Sequence, residues 1–586
     1  MPRAKKTEKH NDIDIMRHST AHILAHAAKN IWPGTKLGIG PVIENGFYYD
    51  IETKSPVTDN NLPKLEEEMR RIIKQNLSFK KSWMTTKEAI KFFQKKNETY
   101  KVDLIKDLAK QKEKKVSLYS TGKDFVDLCT GPHVENTKNV PIDGFSLTQV
   151  TRAYWRGDEK NAQLTRIYGL AFKTRKELQA HLELMKEMEK RDHRKIGTAL
   201  DLFSFHDVAP GAAFWHPRGM IVVKELEKYW RAIHDNAGYQ EISTPIMVKT
   251  KVFEKSGHWK YYKENIFYFD VENEVFALKP MNCPESTYVY NSNIRSFRDL
   301  PLRLSEIGRL HRNELSGTLG GLFRVRQLTM DDDHTFLRED QVQEEIEKII
   351  ALVEKFYSLF NLTPRFFLST KPDKAQGTPK QWKNAELALA AALKSQKRHF
   401  EIKAKDGAFY GPKIDIHISD ALGRDWQLAT IQLDLVMLPE QFDLHYIDAK
   451  GKKVRPMVIH RAIFGSFERF IGVLLEHTAG NLPVWLSPNQ VRILPVAERH
   501  ASYGSSIIKM LREKGLRADM AEPNQTLGKN IREAEITKTP FLLIIGDREV
   551  TSKMVSVRER GKGDKGAMTP EEFIEMIKNA IPQELR

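Results

Sequence analysis

Several groups of residues in this chain could do chemistry. Arg312 and Glu314 stand close together, and Arg324 follows after a run rich in Gly, Ser and Thr, Ser316 to Gly321. Guanidinium forks grip phosphate or carboxylate bidentately, and a glutamate accepts from amino groups, so this cluster suits a charged substrate. Aspartates Asp331, Asp332 and Asp333 lead into His334, with Cys283 and His460 far away in sequence. One thiolate with two imidazoles is a zinc set that leaves a coordination position open. Near the start, His18 and His22 have the i, i+4 spacing of one helical face. Much later come Asp127, Cys129 and His133. These histidines and the thiol could form a metal site, or they could be buried histidines beside an unrelated cysteine.

The elements that must position these groups can be read in outline. Residues 300–336 begin as an apolar, β-rich run, break at His311 to Glu314, pass the glycine turn and return through Phe323 to Leu328. Strand, glycine loop, strand predicts an antiparallel hairpin with charges at its mouth; a solvated hairpin with ordinary surface charges has the same pattern. His18 to His22 opens an amphipathic helix that Pro33-Gly34 ends. Cys283, His334 and His460 are expected on three separate strands or strand ends. Lysine-rich residues 80–115 read as a solvated helical face, and Arg175 to His193 as a charged connecting helix. Val491 to Val496 and Phe541 to Gly546 read as buried strands, with helices near 502–514 and 570–580. That alternation predicts an α/β domain with a mostly parallel sheet.

Length and composition bound the function. A chain of 586 residues holds three or four domains. Hydrophobic residues make up 40%, an ordinary globular content. The net charge of +16 points to a polyanionic partner, although a merely basic surface gives the same number. No apolar run approaches the ~20 residues that span a bilayer. Met1 to His10 is basic with no apolar segment behind it, so no secretory signal is expected. The 2 cysteines lie far apart beside histidine or aspartate motifs, which favours functional thiols in a reducing, cytoplasmic compartment over a disulfide. Internal repeats and low-complexity tracts are absent.

Arg312, Glu314 and Arg324 around their loop resemble motif 2 of the class II aminoacyl-tRNA synthetases. Gly238-Tyr239-Gln240-Glu241-Ile242-Ser243-Thr244-Pro245 is similar to motif 1, a strand ending in proline at a dimer interface. Gly465-Ser466-Phe467-Glu468-Arg469-Phe470-Ile471-Gly472 is similar to motif 3, and the three stand in the family's order. Lys279-Pro280-Met281-Asn282-Cys283-Pro284, Phe409-Tyr410-Gly411-Pro412-Lys413 and Trp426-Gln427-Leu428-Ala429-Thr430-Ile431-Gln432 narrow the resemblance to the threonyl-tRNA synthetases, which place zinc ligands at Cys283, His334 and His460. The sets around His18 and Asp127, with Ala153-Tyr154-Trp155-Arg156-Gly157-Asp158, resemble the editing domain shared by threonyl- and alanyl-tRNA synthetases. The match runs from about residue 11 to the end, which implies a form lacking the ubiquitin-like N-terminal domain of many relatives.

The resemblance implies a multidomain α/β protein: an α+β editing domain at 11–170, a linker helix at 171–195, a class II catalytic domain built on an antiparallel sheet at 196–486, and an α/β anticodon-binding domain at 487–586. It implies ATP-dependent activation of L-threonine and transfer to tRNA(Thr), with one zinc per subunit, magnesium accompanying ATP, and a homodimer with no membrane association. Arg312 would hold the α-phosphate and carboxylate. Arg324 and Arg469 would hold the terminal phosphates, with Arg469 also stacking on adenine, and Glu314 would face the adenine amino group. Gln427 and Thr430 belong to the ATP set. Met281, Asp332, Tyr410 and Gln432 belong to the threonine set, with Lys413 nearby as a catalytic group. His18, His22, Lys101, Asp127, Cys129 and His133 would form the editing site, read as metal-free and hydrolytic in the threonyl type and zinc-binding in the alanyl type. For the lysines of 80–115, direct contact with tRNA is then the alternative to a solvated face. Asn524, Glu549 and Arg558 match anticodon contacts, or are loop residues of a small stable domain.

The chain departs from the pattern at Leu328, where an aromatic usually stacks on adenine, and at Met330, where a glutamine often helps hold the amino acid. Asp333 replaces a small residue, and Glu285-Ser286 stand where Gly-His is usual. An RNA-binding paralogue would have lost zinc ligands or motif arginines, and neither is lost. A synthetase for serine or proline would not need the full Cys/His/His set. Because serine differs from threonine by one methyl, worth ~1–3 kcal/mol of discrimination, a second hydrolytic site is physically warranted.

Overall fold

The computed structural model describes residues 11–586 and separates into two compact units, 1–187 and 188–586. The basic segment Met1 to His10 lies outside the described residues. No helix among the described residues is long and apolar enough to cross a membrane.

The first unit is α+β. The helix Asp12–Ile31 packs on an antiparallel sheet whose main strands are Gly46–Glu52, Gln163–Ala171 and Phe145–Tyr154. Ala21, Ile23, Leu24 and Ala28 from the helix are buried with Phe47, Tyr49 and Ile51 from the sheet. The helix begins six residues before His18 rather than at it, because Asp12 and Asp14 in its first turn complement the dipole. A second sheet joins Phe79–Thr85, Lys115–Thr121 and Phe125–Leu128 in that order. Helices Thr86–Lys95 and Thr99–Lys110 cover one face of it through Phe93, Ile105, Val116 and Leu118. The expected single helical face over 80–115 is therefore corrected: its first residues form an edge strand. Lysines on an edge strand block further pairing, which the compositional reading mistook for a helix surface.

The second unit is built on an eight-stranded sheet. Its order is Gln240–Glu241, Leu302–His311, Gln327–Leu337, Met457–Ser466, Asp425–Asp434, Lys413–Ser419, Pro364–Ser369 and Phe400–Lys403. The two outermost pairings are parallel and the rest antiparallel. Strands Leu302–His311 and Gln327–Leu337 form the expected hairpin over its full length, from Leu302 opposite Phe336 to His311 opposite Gln327. The return 323–326 is not yet strand, since the Arg326 N–H goes to Gly211 O at 2.6 Å. Helices Pro217–Asn236, Val342–Ser358 and Phe467–Thr478 contribute Trp230, Phe356 and Phe470 to the core behind the sheet. Cys283 is the first residue of the helix Cys283–Asn291, not part of a strand: Pro284 fits the open first turn of a helix.

The C-terminal part of this unit has a sheet ordered Ala518–Met520, Val491–Pro495, Phe541–Ile545, Val555–Glu559 and Gly563–Met568. The first three strands are parallel and the last two antiparallel, so the mostly parallel expectation is corrected to a mixed sheet. The connections after Phe541–Ile545 are too short for the crossover that parallel pairing needs. Arg517 ties this part to the helix Pro217–Asn236 through Glu225 at 2.8 Å.

Candidate active and editing sites

Strand register puts the candidate residues of the central sheet on one face. His334 lies directly opposite His460, His460 opposite Gln432, and Gln432 opposite Lys413. One row along, Asp332, Ala462, Thr430 and Asp415 align. Because side chains alternate along a strand, these two rows share a face and Asp333 with Arg461 faces the other way. A cavity of about 740 Å³ lies over this face, and its lining includes Arg312, Glu314, Arg324 and Arg469 as well as Cys283 and His460.

The cavity is cationic at one end. Ser466 caps the helix Phe467–Thr478 by accepting from the Arg469 N–H at 3.2 Å, which places Arg469 in the first turn. Arg469 Nε donates to Phe323 O at 3.1 Å, and Arg312 Nε to Pro280 O at 3.2 Å. Arg324 Nε donates to Glu314 at 2.9 Å, so those two neutralise each other. Burial, then Arg312 and Arg324, lower the Arg469 pKa, the signature of guanidinium groups crowded together without enough counter-charge.

The other end carries the thiol and the imidazoles. Donor atoms of Cys283, His334 and His460 all lie within 4.8 Å of one another, and all three residues are buried. His334 Nε2 and His460 Nδ1 find no hydrogen-bond partner among the described residues. Unpaired buried imidazole nitrogens beside a thiol fit a zinc ion. His460 Nε2 lies 3.3 Å from Asp434, whose carboxylate is fixed by the N–H groups of Val436, Met437 and Leu438. Such an outer carboxylate orients a ligand histidine. Asn282 donates to Asp332 at 3.0 Å and reaches it only because residue 308 is glycine: a Cβ there would stand 2.3 Å from Asn282 Oδ1. Tyr410 donates to Gln432, Gln432 to Thr430 at 3.3 Å, and Lys413 pairs with Asp415 at 2.9 Å. Gln427 also donates to Asp415. Met281 lines the same cavity, as do Leu328 and Met330.

Asp333 does not face this cavity. It is buried 3.8 Å from Arg461, which in turn donates to His234 at 2.9 Å. Burial raises the Asp333 pKa to about 7. Glu285 is buried with neither carboxylate oxygen partnered among the described residues, and burial raises its pKa to about 8.

Sequence reading missed other residues here. His258 lines the cavity, accepts or donates at Ser256 Oγ over 2.8 Å, and is held neutral by burial with a pKa lowered to about 3. Asp331 accepts from the N–H groups of Ile463, Phe464 and Gly465 at 2.8–3.0 Å, locking the irregular register between the two central strands. His193 joins Glu476 at 2.6 Å through Nδ1 and accepts from the Leu322 N–H at 3.0 Å through Nε2. Asp192, His193 and Glu476 are close enough to resemble a metal cluster. Both His193 nitrogens are taken by hydrogen bonds, so the group is structural. The acidic run marked Asp331 without revealing its role, and His258 and His193 carry no spacing signal; such residues become legible only through their partners.

In the first unit, the i, i+4 pair of the helix Asp12–Ile31 meets the loop after Phe125–Leu128. Cys129 Sγ lies 3.3 Å from both His18 Nε2 and His133 Nε2, and His22 is 3.8 Å from Asp127. The His22 and His133 ring centroids are 4.2 Å apart. Lys101, buried, pairs with Asp127 at 2.7 Å and donates to Tyr49 OH at 3.1 Å, while Tyr49 donates to Asp127. Tyr49 was not anticipated. Burial, then the charges of His18 and Lys101, push the His22 pKa well down, and burial pushes the Cys129 thiol up to about 12. All the residues assigned to this cluster from sequence do come together. The anticodon set is less united: Arg558 lines a cavity of about 300 Å³, and neither Asn524 nor Glu549 lines it. Glu549 instead accepts from the Gly546 N–H at 2.8 Å.

Residues 267–478 match the tRNA synthetase class II core domain (G, H, P, S and T), 490–580 the anticodon binding domain, and 116–168 the threonyl and alanyl tRNA synthetase second additional domain. A threonine–tRNA ligase of Carboxydothermus hydrogenoformans is 49% identical over 96% of this chain and 88% of its own length. The chain belongs to the threonine–tRNA ligase family. Another member, from Acetivibrio thermocellus, is 48% identical over 97% of this chain and 88% of its own. The crystal structure of the RNA binding domain of threonyl-tRNA synthetase from Cryptosporidium parvum covers 66% of this chain and 98% of that one, at 40% identity and a TM-score of 0.65. A prolyl-tRNA synthetase of the same organism, 18% identical with a TM-score of 0.52, shares the fold.

Proposed function

We propose that the cavity over the central sheet is where this member of the threonine–tRNA ligases joins threonine to ATP and then to tRNA(Thr), and that the histidine–cysteine cluster of the first unit hydrolyses seryl-tRNA(Thr). The observation that carries the first half is one cavity lined both by Arg312, Arg324 and Arg469 and by Cys283 and His460, two members of a buried Cys/His/His set.

The threonine carboxylate oxygen attacks the α-phosphorus of ATP, entering with its magnesium, and the bond to pyrophosphate breaks. Arg312 holds the α-phosphate and the carboxylate. Arg324 and Arg469 hold the departing phosphates, and the polyanion relieves the mutual repulsion of the guanidinium groups. Glu314, released by Arg324, faces the adenine amino group, and Gln427 and Thr430 line the nucleotide's path. Little covalent work falls to the protein; alignment and charge stabilisation lower the barrier. A terminal ribose hydroxyl of the tRNA then attacks the activated carbonyl and AMP leaves. Met281, Asp332, Tyr410 and Gln432 surround the amino acid, with Lys413 nearby. Cys283, His334 and His460 would hold a zinc ion, which when bound would act as a Lewis acid toward the amino and hydroxyl groups of threonine.

Serine carries those groups too, and a missing methyl discriminates by only ~1–3 kcal/mol. In the first unit a water attacks the seryl ester and the ribose hydroxyl departs with a proton. The neutral His22 imidazole can accept from that water, while Lys101 and Tyr49 keep Asp127 in place. Anticodon contact is assigned to Asn524, Glu549 and Arg558. A homodimer is supported by the exposed Ile246, Met247, Tyr268 and Phe269, the last three of them on a small separate sheet of Met247–Lys249, Glu274–Leu278 and Tyr268–Val271. The free thiols of Cys129 and Cys283 suit the cytoplasm.

Amino-acid-dependent pyrophosphate exchange with all twenty amino acids tests the reading. Threonine is expected to drive it best, serine more weakly, and valine at background. Stronger exchange with any other amino acid would overturn the assignment.

A further inference from the structure

The sheet that roofs the editing cluster has one feature the reaction above does not use. On the edge strand Phe79–Thr85, residues 79, 81 and 83 share a face, and register sets Phe79 against Thr121, Lys81 against Tyr119 and Trp83 against Ser117. At one end of that face, Phe79 stacks on the His133 ring at 4.9 Å and Tyr119 packs edge-on against the same ring at 4.5 Å. In the middle, Lys81 donates to Thr130 O at 2.9 Å, and its ammonium sits 5.6 Å from the Tyr119 centroid and 5.1 Å from that of Trp83. At the far end Trp83 is 61% exposed.

An exposed indole on an edge strand gains nothing for folding. Its neighbours Lys80, Lys81 and Ser82 are exposed too, so Trp83 stands alone among cations rather than in the contiguous apolar patch a protein partner needs. A π-face beside lysine ammonium groups is the chemistry of single-stranded nucleic acid binding, in which bases stack on aromatics and cations follow the backbone. The track is also continuous with the hydrolytic cluster. Four residue steps of strand run from Phe79 to Trp83, about 13 Å, enough to reach past a terminal nucleotide whose ester lies at His133 and Cys129.

We propose that Trp83, with Lys81, is a base-stacking subsite for the single-stranded 3′ end of the tRNA, engaging a nucleotide that precedes the terminal one while its ester is hydrolysed. This rests on the editing reading above.

The test is steady-state deacylation of pre-formed seryl-tRNA(Thr) by the whole protein and by Trp83→Ala, Trp83→Leu and Trp83→Phe. The exposed position makes misfolding a poor explanation of any change, and melting curves of the variants check that. Stacking predicts a KM raised roughly 5-fold or more in the Ala and Leu variants with kcat retained, and a Phe variant close to wild type. Wild-type KM in all three variants, with the wild type hydrolysing, overturns the subsite and leaves the editing reading intact. Leu serving as well as Phe overturns stacking in favour of a plain apolar contact, and a change of oligomeric state in Trp83→Ala overturns RNA in favour of a second copy of the chain. A wild type that leaves the ester as stable as buffer does overturns the editing reading itself, and the subsite with it.

Discussion

The Cys283, His334 and His460 set makes demands that single substitutions can check. Two imidazole nitrogens are buried there without a partner among the described residues, a cost that a bound cation would remove. Metal analysis of the purified protein should find one zinc per chain, and Cys283→Ala should lose both the zinc and threonine-dependent pyrophosphate exchange. Asp434→Asn keeps an oxygen for the helix N–H groups but weakens the support of His460, so zinc affinity should fall about 10–100-fold. Full exchange by a zinc-free protein would rule out this role for the set. In the first unit, His18→Ala and Cys129→Ala should leave threonylation near normal while serine accumulates on tRNA, read as stabilised seryl-tRNA in a deacylation assay. Both residues belong to the first unit's own cluster, with His133, so parallel loss of threonylation would mean damage to the fold.

At the scale of elements, the cationic end of the cavity depends on a contact between the start of one helix and the return of the hairpin. Helix His193–Ala199 presents His193 to Leu322, and the Phe323 that follows supplies the carbonyl that holds Arg469. Gly321 allows the approach: its φ is +54°, and a Cβ there would stand 2.2 Å from His193 Nε2. The His193 ring also packs on Phe323 at 4.2 Å, and Phe323 on Trp426 at 4.4 Å. His193→Ala would leave the buried Leu322 N–H unpaired, a cost of about 1–3 kcal/mol. We expect the KM for ATP in pyrophosphate exchange to rise by roughly 5-fold or more with a smaller change in kcat, because the arginine is displaced rather than removed. The same network has a pH dependence. Burial pulls Glu476 up, but hydrogen bonds from His193 and Arg424 outweigh it and hold the carboxyl below its ordinary value of 4.5. A depressed folded pKa gives stability that is full above 4.5 and is lost as pH falls through the folded value. Melting curves of Glu476→Gln should therefore lie below wild type at neutral pH and converge with it under acid.

For the whole molecule, the division at residue 187 has a consequence for cooperativity. Residues 1–187 carry cores of their own, one around Leu24, Phe47 and Ile72 and another around Phe93, Ile105 and Leu118. The C-terminal domain is different: Ile581 and Leu585 pack against the large central core, and Arg517 pairs with Glu225. A fragment of residues 1–187 should fold cooperatively and retain some seryl-tRNA hydrolysis, and 188–586 should keep threonine-dependent exchange within a few-fold of the whole chain. Removing 487–586 should instead destabilise what remains, seen as a lowered melting temperature. With a net charge of +16, tRNA binding by the intact chain should weaken steeply with salt, as counterion release becomes less favourable.

Motif chemistry was determined by the sequence alone. Arg312, Glu314, Arg324 and Arg469, and the Cys/His sets, are recognisable because residue type and local spacing encode them, and the hairpin of 302–337 follows from its own alternation and glycine turn. Buried strands such as Val491–Pro495 are legible for the same reason. What only the tertiary structure decided is which groups meet. Asp332 and His334 face the cavity while Asp333 between them faces Arg461, because a pleated strand alternates its side chains and no one-dimensional pattern says which face is covered. Asp434, His193 and Tyr49 gained roles from partners 26, 129 and 78 residues away. The edge strand at 79–85 was misread as helix because lysines on an exposed edge and lysines on a solvated helix look alike in composition. Local preference and periodicity are properties of short segments; long-range pairing is set by the packing of the whole chain, and it is that pairing which turned recognisable residues into sites.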